Sequence, residues 1–144
     1  MKLEDLKVYN LAMQLGEEVW EIVIKWDYFQ KDTVGKQWVK AVDSIAANLS
    51  EGSGRYHLKD AKNFNYFSRG SLSETKTWLL KAHHRKMITD GQFQHLLIEI
   101  DSLGKMLNNY IKSFGKRVNS SLESKPVPPD NSAPPSPNRQ ALSP

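Results

Sequence analysis

Residues 34–55, "VGKQWVKAVDSIAANLSEGSGR", carry the clearest structural signal in the sequence. Apolar or small residues recur there at steps of three and four, the spacing that places side chains on one face of an α-helix. They are Val34, Trp38, Val42, Ile45, Leu49 and Gly52. Gly52 and Gly54 close the stretch, and glycine commonly terminates helices. The stretch therefore predicts an amphipathic helix that buries one side.

Three further blocks have the same periodicity. The block before this stretch contains Tyr9, Ala12, Gly16, Val19, Val23 and Trp26, with Leu15 and Ile22 beside them. The two blocks after it contain Phe64, Phe67, Ser71, Glu74 and Trp78, and then Phe93, Leu96, Ile100, Leu103, Leu107, Tyr110 and Phe114. Thr89 and Gln92 have the spacing of a capping box before the last block, and Gly115 is predicted to end it. Four helices of about 20 to 27 residues, with no segment that alternates with period two, predict an all-α, antiparallel up-down-up-down four-helix bundle.

The prolines divide the chain into two parts. All seven lie between Pro126 and Pro144, and residues 1–125 contain none. A proline-free segment suits long helices, because a proline inside a helix costs about 3 kcal/mol. The Pro- and Ser-rich end cannot bury enough apolar surface to offset its loss of conformational entropy. We therefore predict a four-helix bundle at residues 1–116 and a disordered tail at residues 117–144.

The composition excludes several classes of protein. The 144 residues include no cysteine, which rules out disulfide scaffolds, thiolate metal sites and cysteine nucleophiles. The first residues are charged and lack the apolar segment of a secretory signal. No stretch approaches the roughly 18 to 20 apolar residues that a membrane span needs. We expect a cytoplasmic protein that does not contact a membrane.

Polar residues on the predicted second helix raise the question of an active site. Ser44, Asn48 and Glu51 share one strip of that helix, and Ser71 and Glu74 interrupt the apolar stripe of the third. A buried carboxylate without partners is costly, so we favour a hydrogen-bonded structural network between the two helices. Acid-base catalysis by the two carboxylates is the alternative.

Catalytic and metal-binding signatures are missing from the rest of the sequence. It contains no phosphate-binding glycine loop, no HExxH and no GxSxG. None of His57, His83, His84 and His95 follows a glutamate by three residues, as the di-iron bundle motif requires. His83 and His84 lie near the end of the third helix, where a solvated or carbonyl-capping role is favoured over metal ligation. We expect no enzymatic activity, no cofactor and no metal site.

Basic charge is concentrated in the middle of the chain. Residues 2–29 contain three bases and six acids, a net charge of −3, whereas residues 36–86 contain ten bases and four acids, a net charge of +6. Lys62, Arg69 and Lys76 are seven residues apart on the third helix, and therefore share a face. Lys59, Tyr66 and Ser73 lie on that same face.

This face has three interpretations. A basic stripe with a tyrosine suits a phosphate backbone, because the ring can stack on an unpaired base. An ordinary solvated helix face is the second interpretation, and contact with the acidic first helix of a neighbouring subunit is the third. Trp20, which lies off the main stripe of the first helix, favours self-association, with a partly buried surface tryptophan as the alternative.

Two stretches resemble the signatures of a known family. "VGKQWVKAVDSIAANLSEGSGR" and "FNYFSRGSLSETKTWLLKA" are similar to those of the bacterial four-helix-bundle proteins encoded in intervening sequences of 23S ribosomal RNA genes, the S23 family. The opening "LEDLKVYNLA" also fits, and Leu49 stands where isoleucine is usual. The resemblance covers about residues 3–114. The polar positions of the family pattern fall on Gln37, Ser44, Asn48, Glu51, Gly52, Ser71 and Glu74, which we interpret as a structural polar network.

The resemblance implies a homo-oligomer, since pentameric rings are known in the family. A related branch contains accessory proteins of diversity-generating retroelements, which bind nucleic acid and a reverse transcriptase. We therefore predict a non-enzymatic oligomeric bundle that binds RNA or an RNA-protein complex through the second and third helices. The alternative is a scaffold or accessory subunit of a protein partner such as a reverse transcriptase. The predicted nucleic-acid contacts are Lys36, Lys40, Arg55, Lys59, Lys62, Tyr66, Arg69, Lys76, Arg85 and Lys86.

Overall fold

Four long helices form the structure, a computed structural model that describes residues 2–124, with side chains described as far as Phe114. They are α1 (Lys7–Val23), α2 (Lys36–Ser53), α3 (Leu58–His84) and α4 (Asp90–Ser124). A short 3-10 turn at Leu3–Asp5 precedes α1. No strand occurs in the described part of the chain, which confirms the predicted all-α fold.

Seen along the bundle axis, the four long helices lie at the corners of a square, and helices on adjacent corners contact one another. α1 packs against α2 and α4, and α3 packs against the same two helices. Short connections at residues 54–57 and 85–89 reverse the chain between successive helices. This arrangement is the predicted up-down-up-down bundle. None of the described helices combines the length and apolarity needed to cross a membrane.

The core confirms the predicted apolar stripes of three helices. The buried residues of α1 include Ala12, Leu15, Val19 and Val23, those of α2 include Trp38, Val42, Ile45 and Leu49, and those of α4 include Leu96, Ile100, Leu103 and Leu107. They form one continuous cluster along the bundle axis. Burial of these side chains is the main favourable contribution to folding.

The predicted stripe of α3 was wrong in phase. Its buried residues are Ala61, Phe64, Asn65, Ser68, Leu72, Thr75, Leu79 and Ala82. Ser71, Glu74 and Trp78, which were predicted to face the core, are only partly buried. The reason is that Ser68 and Thr75 satisfy their hydroxyls with the carbonyls of Ile45 and Ser71, each over 2.8 Å, and can therefore be buried.

A short helical segment, residues 28–35, connects α1 to α2. Asp27 accepts a hydrogen bond from the backbone N–H of Gln30 over 2.8 Å and starts a turn at Tyr28–Gln30. A π-helical turn at Lys31–Gly35 then runs directly into α2. Gly35 lies so close to the end of α1 that a Cβ atom there would be 2.7 Å from Val23 Cγ1. The close packing of this segment against α1 thus depends on the absence of a side chain at Gly35.

The start of α4 confirms its predicted cap, whereas its end differs from the prediction. The Thr89 hydroxyl accepts from Gln92 N over 3.0 Å and the Gln92 side chain accepts from Thr89 N over 2.9 Å, which is a capping box. The helix continues through Gly115 to Ser124, because a glycine inside a helix costs only about 1 kcal/mol. The predicted boundary at residues 116 and 117 therefore lies inside α4. Residues 125–144 lie outside the described residues, and their disorder stays a prediction.

Candidate nucleic-acid interface

The basic stripe of α3 lies on the side of the helix that faces away from the core. Lys59 and Arg69 are exposed, and Lys62 and Lys76 are partly buried. Tyr66, between them, is 38% exposed. We call Lys59, Lys62, Tyr66 and Arg69 the α3 basic cluster.

Two cations of this cluster contact one aromatic ring. Lys62 Nζ lies 5.7 Å from the centroid of the Tyr66 ring, and the Arg69 guanidinium carbon lies 4.8 Å from it. Both distances are typical of cation–π interactions, which hold flexible basic side chains in place. The ring is therefore not simply open for stacking on a base, because a base must share it with these two side chains. What the cluster offers directly is two positioned positive charges.

The basic stripe of α3 lies beside α4, and an ion pair with α4 reduces the positive charge that Lys76 can present to a ligand. Lys76 Nζ forms an ion pair with Asp101 Oδ1 of α4 at 3.2 Å, and Arg69 donates to the Asn108 side chain over 3.4 Å. Asp101 neutralises part of the charge of Lys76, whereas Asn108 leaves the charge of Arg69 intact. Lys76 is thus a poorer phosphate ligand than the sequence spacing suggested.

Arg55 and Lys40 are engaged with acidic groups. Arg55 forms an ion pair with Glu51 at 2.8 Å and lies over the Phe64 ring at 4.6 Å. Burial raises the pKa of the Glu74 carboxyl, and the positive charge of Lys40 opposes that rise. Lys40 therefore lies close enough to Glu74 to attract it across the α2–α3 contact. Part of the positive charge of Lys40 is balanced there and is less available to a ligand.

The remaining predicted bases lie at one end of the bundle. Lys36 begins α2, while Arg85 and Lys86 follow the last residue of α3, and all three are exposed. Because α2 and α3 are antiparallel, these residues belong to the same end. Lys86 has a φ of 60°, the left-handed conformation that ends the helix sharply. The ten predicted contacts thus fall into an α3 basic cluster, a bundle-end group and the bases already paired with acids.

The predicted polar network is arranged differently from the interpretation based on helical phase. Ser44 donates to the Lys40 carbonyl over 2.7 Å and Asn48 donates to the Ser44 carbonyl over 2.8 Å, so both bonds stay within α2. A side-chain bond that does join the helices comes from Ser68, which is outside the predicted set and donates to the Ile45 carbonyl. Gln37, Ser71 and Glu74 are partly buried beside this contact surface.

Gly52 marks a close approach of α2 and α3. A Cβ atom at this position would lie 3.1 Å from the Ala61 carbonyl oxygen, 3.2 Å from Phe64 Cβ and 3.4 Å from Asn65 Oδ1. Asn65 itself is 1% exposed. Sequence reasoning missed Asn65 and Ser68, although Ala61, Asn65, Ser68, Leu72, Thr75 and Leu79 recur at steps of four and three. That signal was hidden because the aromatic residues Phe64, Phe67 and Trp78 were taken to set the phase of the buried face.

A second polar cluster, missed by the sequence analysis, joins α1 to α4. His95 Nε2 lies 2.9 Å from Glu18 Oε1 and 3.2 Å from Glu99 Oε1. The pKa of Glu99 is raised to about 7 by burial of its carboxyl group, by a hydrogen bond to Glu18 and by the negative charge of Glu18. Burial also acts to raise the pKa of Glu18, but hydrogen bonds to Glu99 and His95 outweigh it and lower that pKa. The hydrogen bond to Glu18 and the charge of Glu99 raise the pKa of His95.

Only part of this cluster was visible in the sequence. His95 and Glu99 are four residues apart, so their pairing on one helix face was predictable. Glu18 is supplied by α1, 77 residues away from His95 in the chain. His83 is likewise more than a solvated residue, because it contacts Asp90 Oδ1 at 2.8 Å and stacks on Phe93 at 3.9 Å, which links the end of α3 to the start of α4.

The packing and the charged face together define a four-helix-bundle protein with a basic α2–α3 side. The chain belongs to the family of 23S rRNA-intervening sequence proteins, whose family model matches residues 4–109. A solved structure of a protein with unknown function from the S23 ribosomal protein family of Bacteroides thetaiotaomicron is similar, with a TM-score of 0.69 and 22% identity over 78% of this chain and 99% of that chain. At this identity the likeness shows the shared fold. No curated protein matches the chain significantly.

Proposed function

We propose that this protein is a non-enzymatic, oligomeric helical bundle that binds RNA, alone or within an RNA-protein complex, through the α2–α3 side. The observation that carries the proposal is the α3 basic cluster, in which Lys62 and Arg69 both lie over the Tyr66 ring. A helix that positions two cations beside one exposed tyrosine can bind adjacent phosphates of a nucleic-acid backbone.

The distribution of charge supports the same side of the molecule. Residues 36–86 carry a net charge of +6, whereas residues 2–29 carry −3. An anionic partner is therefore attracted to α2 and α3 and repelled by α1. The bundle-end bases Lys36, Arg85 and Lys86 extend the positive potential beyond the α3 basic cluster. A longer stretch of nucleic-acid backbone can therefore contact the protein.

The test is the affinity for a fluorescein-labelled single-stranded RNA, measured by anisotropy at several salt concentrations. We expect the affinity to fall steeply between about 50 and 200 mM salt. A Lys62→Glu and Arg69→Glu double variant should lose most of the binding. The matched control is Lys2→Glu with Lys7→Glu, which makes the same change of charge at two exposed lysines before and at the start of α1, diagonally opposite α3. It should retain most of the affinity.

Two results would count against the proposal. Unchanged binding by the α3 double variant would remove the assigned surface. Equal losses in the α3 double variant and the Lys2→Glu, Lys7→Glu control would show that only net charge matters. Circular dichroism of each variant checks that the helices are intact, so that a loss of binding is not confused with a loss of fold.

Self-association is proposed from the exposed side of α1. Met13, Trp20 and Ile24 are 46%, 48% and 40% exposed, and their spacing of seven and four residues places them in one line. Exposed apolar side chains in a line are typical of helix contacts between subunits. We propose a homo-oligomer, with the pentameric ring of the S23 family as the expected size.

Light scattering during size-exclusion chromatography tests the oligomer. We expect an assembly for the wild-type chain, dissociation by Trp20→Ser, and no change with Tyr56→Ser, which alters an aromatic residue that is 89% exposed at a loop. A wild-type monomer would contradict self-association. It would favour the second function considered above, an accessory subunit whose protein partner, such as a reverse transcriptase, covers α1.

A further inference from the structure

We infer that Glu18, His95 and Glu99 form a binding site for a divalent transition-metal ion that fastens α1 to α4. The inference does not depend on RNA binding, because the three residues lie on the other helix pair of the bundle. It rests on the number, chemistry and spacing of the ligand atoms and on the burial of the carboxylate oxygens.

Two of the three ligand separations in this cluster are close to those of a coordination shell. One ligand atom from each residue lies within 4.8 Å of the other two, and the shortest separations, from His95 Nε2 to the two carboxylates, are 2.9 Å and 3.2 Å. Ligands about 2.1 Å from a tetrahedral or octahedral ion are themselves roughly 3.0 to 3.4 Å apart. An ion can therefore enter with small side-chain rotations and without moving either helix.

Two oxygens of the cluster need a positive partner. Glu18 Oε2 and Glu99 Oε2 are shielded from solvent, and neither receives a hydrogen bond from a donor in the described part of the chain. A buried carboxylate oxygen without a donor is costly. A proton shared between the two carboxyl groups relieves this below the raised pKa of Glu99, about 7. A divalent cation relieves it more completely and also uses the lone pair of His95.

The ligand set selects the class of ion. One imidazole nitrogen with two carboxylates suits Zn²⁺, Mn²⁺ or Co²⁺, whereas Mg²⁺ and Ca²⁺ prefer oxygen ligands alone. The His95 side chain is 59% exposed, while those of Glu18 and Glu99 are 28% and 15% exposed. The imidazole side is therefore open for entry of the ion and for water as a further ligand.

The experiment uses the full chain with any affinity tag removed. After dialysis against a chelator, the midpoint of thermal unfolding is measured with no added metal, with Zn²⁺, and with Mg²⁺. We expect Zn²⁺ in large excess over its dissociation constant to raise the midpoint by about 5 °C or more. We expect Mg²⁺ to have little effect. Co²⁺ binding should in addition give a visible absorption band from the coordinated ion.

Glu99→Gln and His95→Gln identify the ligands, and His84→Gln is the matched control because His84 is an exposed histidine of α3 that is not part of the cluster. The first two variants should lose the Zn²⁺-dependent shift and the Co²⁺ band, and the control should keep both. Circular dichroism without metal establishes that each variant is folded. A wild-type chain that shows neither the shift nor the band overturns the inference, and so does full retention of both by folded His95→Gln.

Discussion

The Ser68 hydroxyl of α3 donates a hydrogen bond to the Ile45 carbonyl of α2 over 2.8 Å, and both residues are fully buried. The same carbonyl belongs to the helical hydrogen-bond pattern of α2, so the serine uses its second lone pair. A side chain of one helix is thereby tied to the backbone of the next, close to the point where Gly52 lets the two helices approach. This bond sets the register of α2 against α3 without any charged group.

Ser68→Ala should lower the free energy of unfolding by about 1 kcal/mol, because the bond to Ile45 is lost while the carbonyl keeps its helical partner. Urea unfolding followed by circular dichroism measures the change. The control is Ser73→Ala, whose hydroxyl bonds the Arg69 carbonyl at an exposed position of the same helix. Ser73→Ala should stay within about 0.5 kcal/mol of wild type. Equal losses at both positions would show that the link to Ile45 contributes nothing specific.

Two glycine substitutions should change stability in opposite directions. At Gly52 a Cβ atom would lie 3.1 Å from the Ala61 carbonyl oxygen, whereas at Gly70 it would meet nothing within 4 Å. Gly52→Ala should therefore destabilise the bundle by about 1 to 3 kcal/mol, because backbone must move. Gly70→Ala should stabilise it by roughly 0.5 to 1 kcal/mol through helix propensity. Thermal unfolding of both variants measures the sign, and stabilisation by Gly52→Ala would contradict a rigid close contact between the two helices.

Lys62 and Lys76 should contribute unequally to RNA binding, although both lie on the basic stripe. Asp101 already neutralises part of the charge of Lys76 at 3.2 Å, while Lys62 lies over the Tyr66 ring. Lys62→Gln should reduce the slope of log affinity against log salt by about 0.7 to 1. Lys76→Gln should leave that slope nearly unchanged. Anisotropy titrations at several salt concentrations compare them, and a larger effect of Lys76→Gln would contradict the structural argument.

The Glu18, His95 and Glu99 cluster should make stability depend on pH in a chelating buffer. The folded chain raises the pKa of Glu99 from 4.5 to about 7, so between these values the folded state binds more protons than the unfolded state. The free energy of unfolding therefore falls as the pH rises from about 5 to about 8. The raised pKa of His95 acts in the same direction, while the lowered pKa of Glu18 matters only below its usual range.

Urea unfolding of the wild-type chain and of Glu99→Gln at pH values from about 5 to about 8 measures this effect. The variant removes a titrating group while keeping the shape of the side chain. Its stability should change less with pH than that of the wild type. An identical dependence in the two chains would place the responsible groups elsewhere.

Periodicity was sufficient to predict most of the core. Large apolar residues such as Leu15, Ile45 and Leu103 recur at helical spacing and are all buried. It failed on α3, where Asn65, Ser68 and Thr75 are buried although they are polar. The burial of Ser68 and Thr75 depends on hydrogen bonds to α2 and to their own helix. Asn65 is buried where Gly52 brings α2 close. A count of apolar residues contains neither kind of information.

The predicted nucleic-acid contacts were likewise predictable from the sequence only in part. The seven-residue spacing of Lys62 and Arg69 correctly placed both on the outer face of α3. The spacing could not show that Lys76 pairs with Asp101 or that Arg55 pairs with Glu51. Such pairing depends on which side chains of neighbouring turns and helices come within reach.

The sequence by itself determined the four helices, the antiparallel bundle, the basic middle of the chain and the capping box at Thr89. The helices and the cap follow from local spacing, because residues three or four apart on a helix share a face whatever the rest of the chain does. The antiparallel arrangement follows from helices joined in sequence by short connections, and the basic middle follows from the count of charged residues. Only the tertiary structure decided which polar groups of α3 enter the core and that Glu18 of α1 meets His95 and Glu99 of α4. Those outcomes depend on the register and rotation of packed helices, which are set by contacts between residues far apart in the chain.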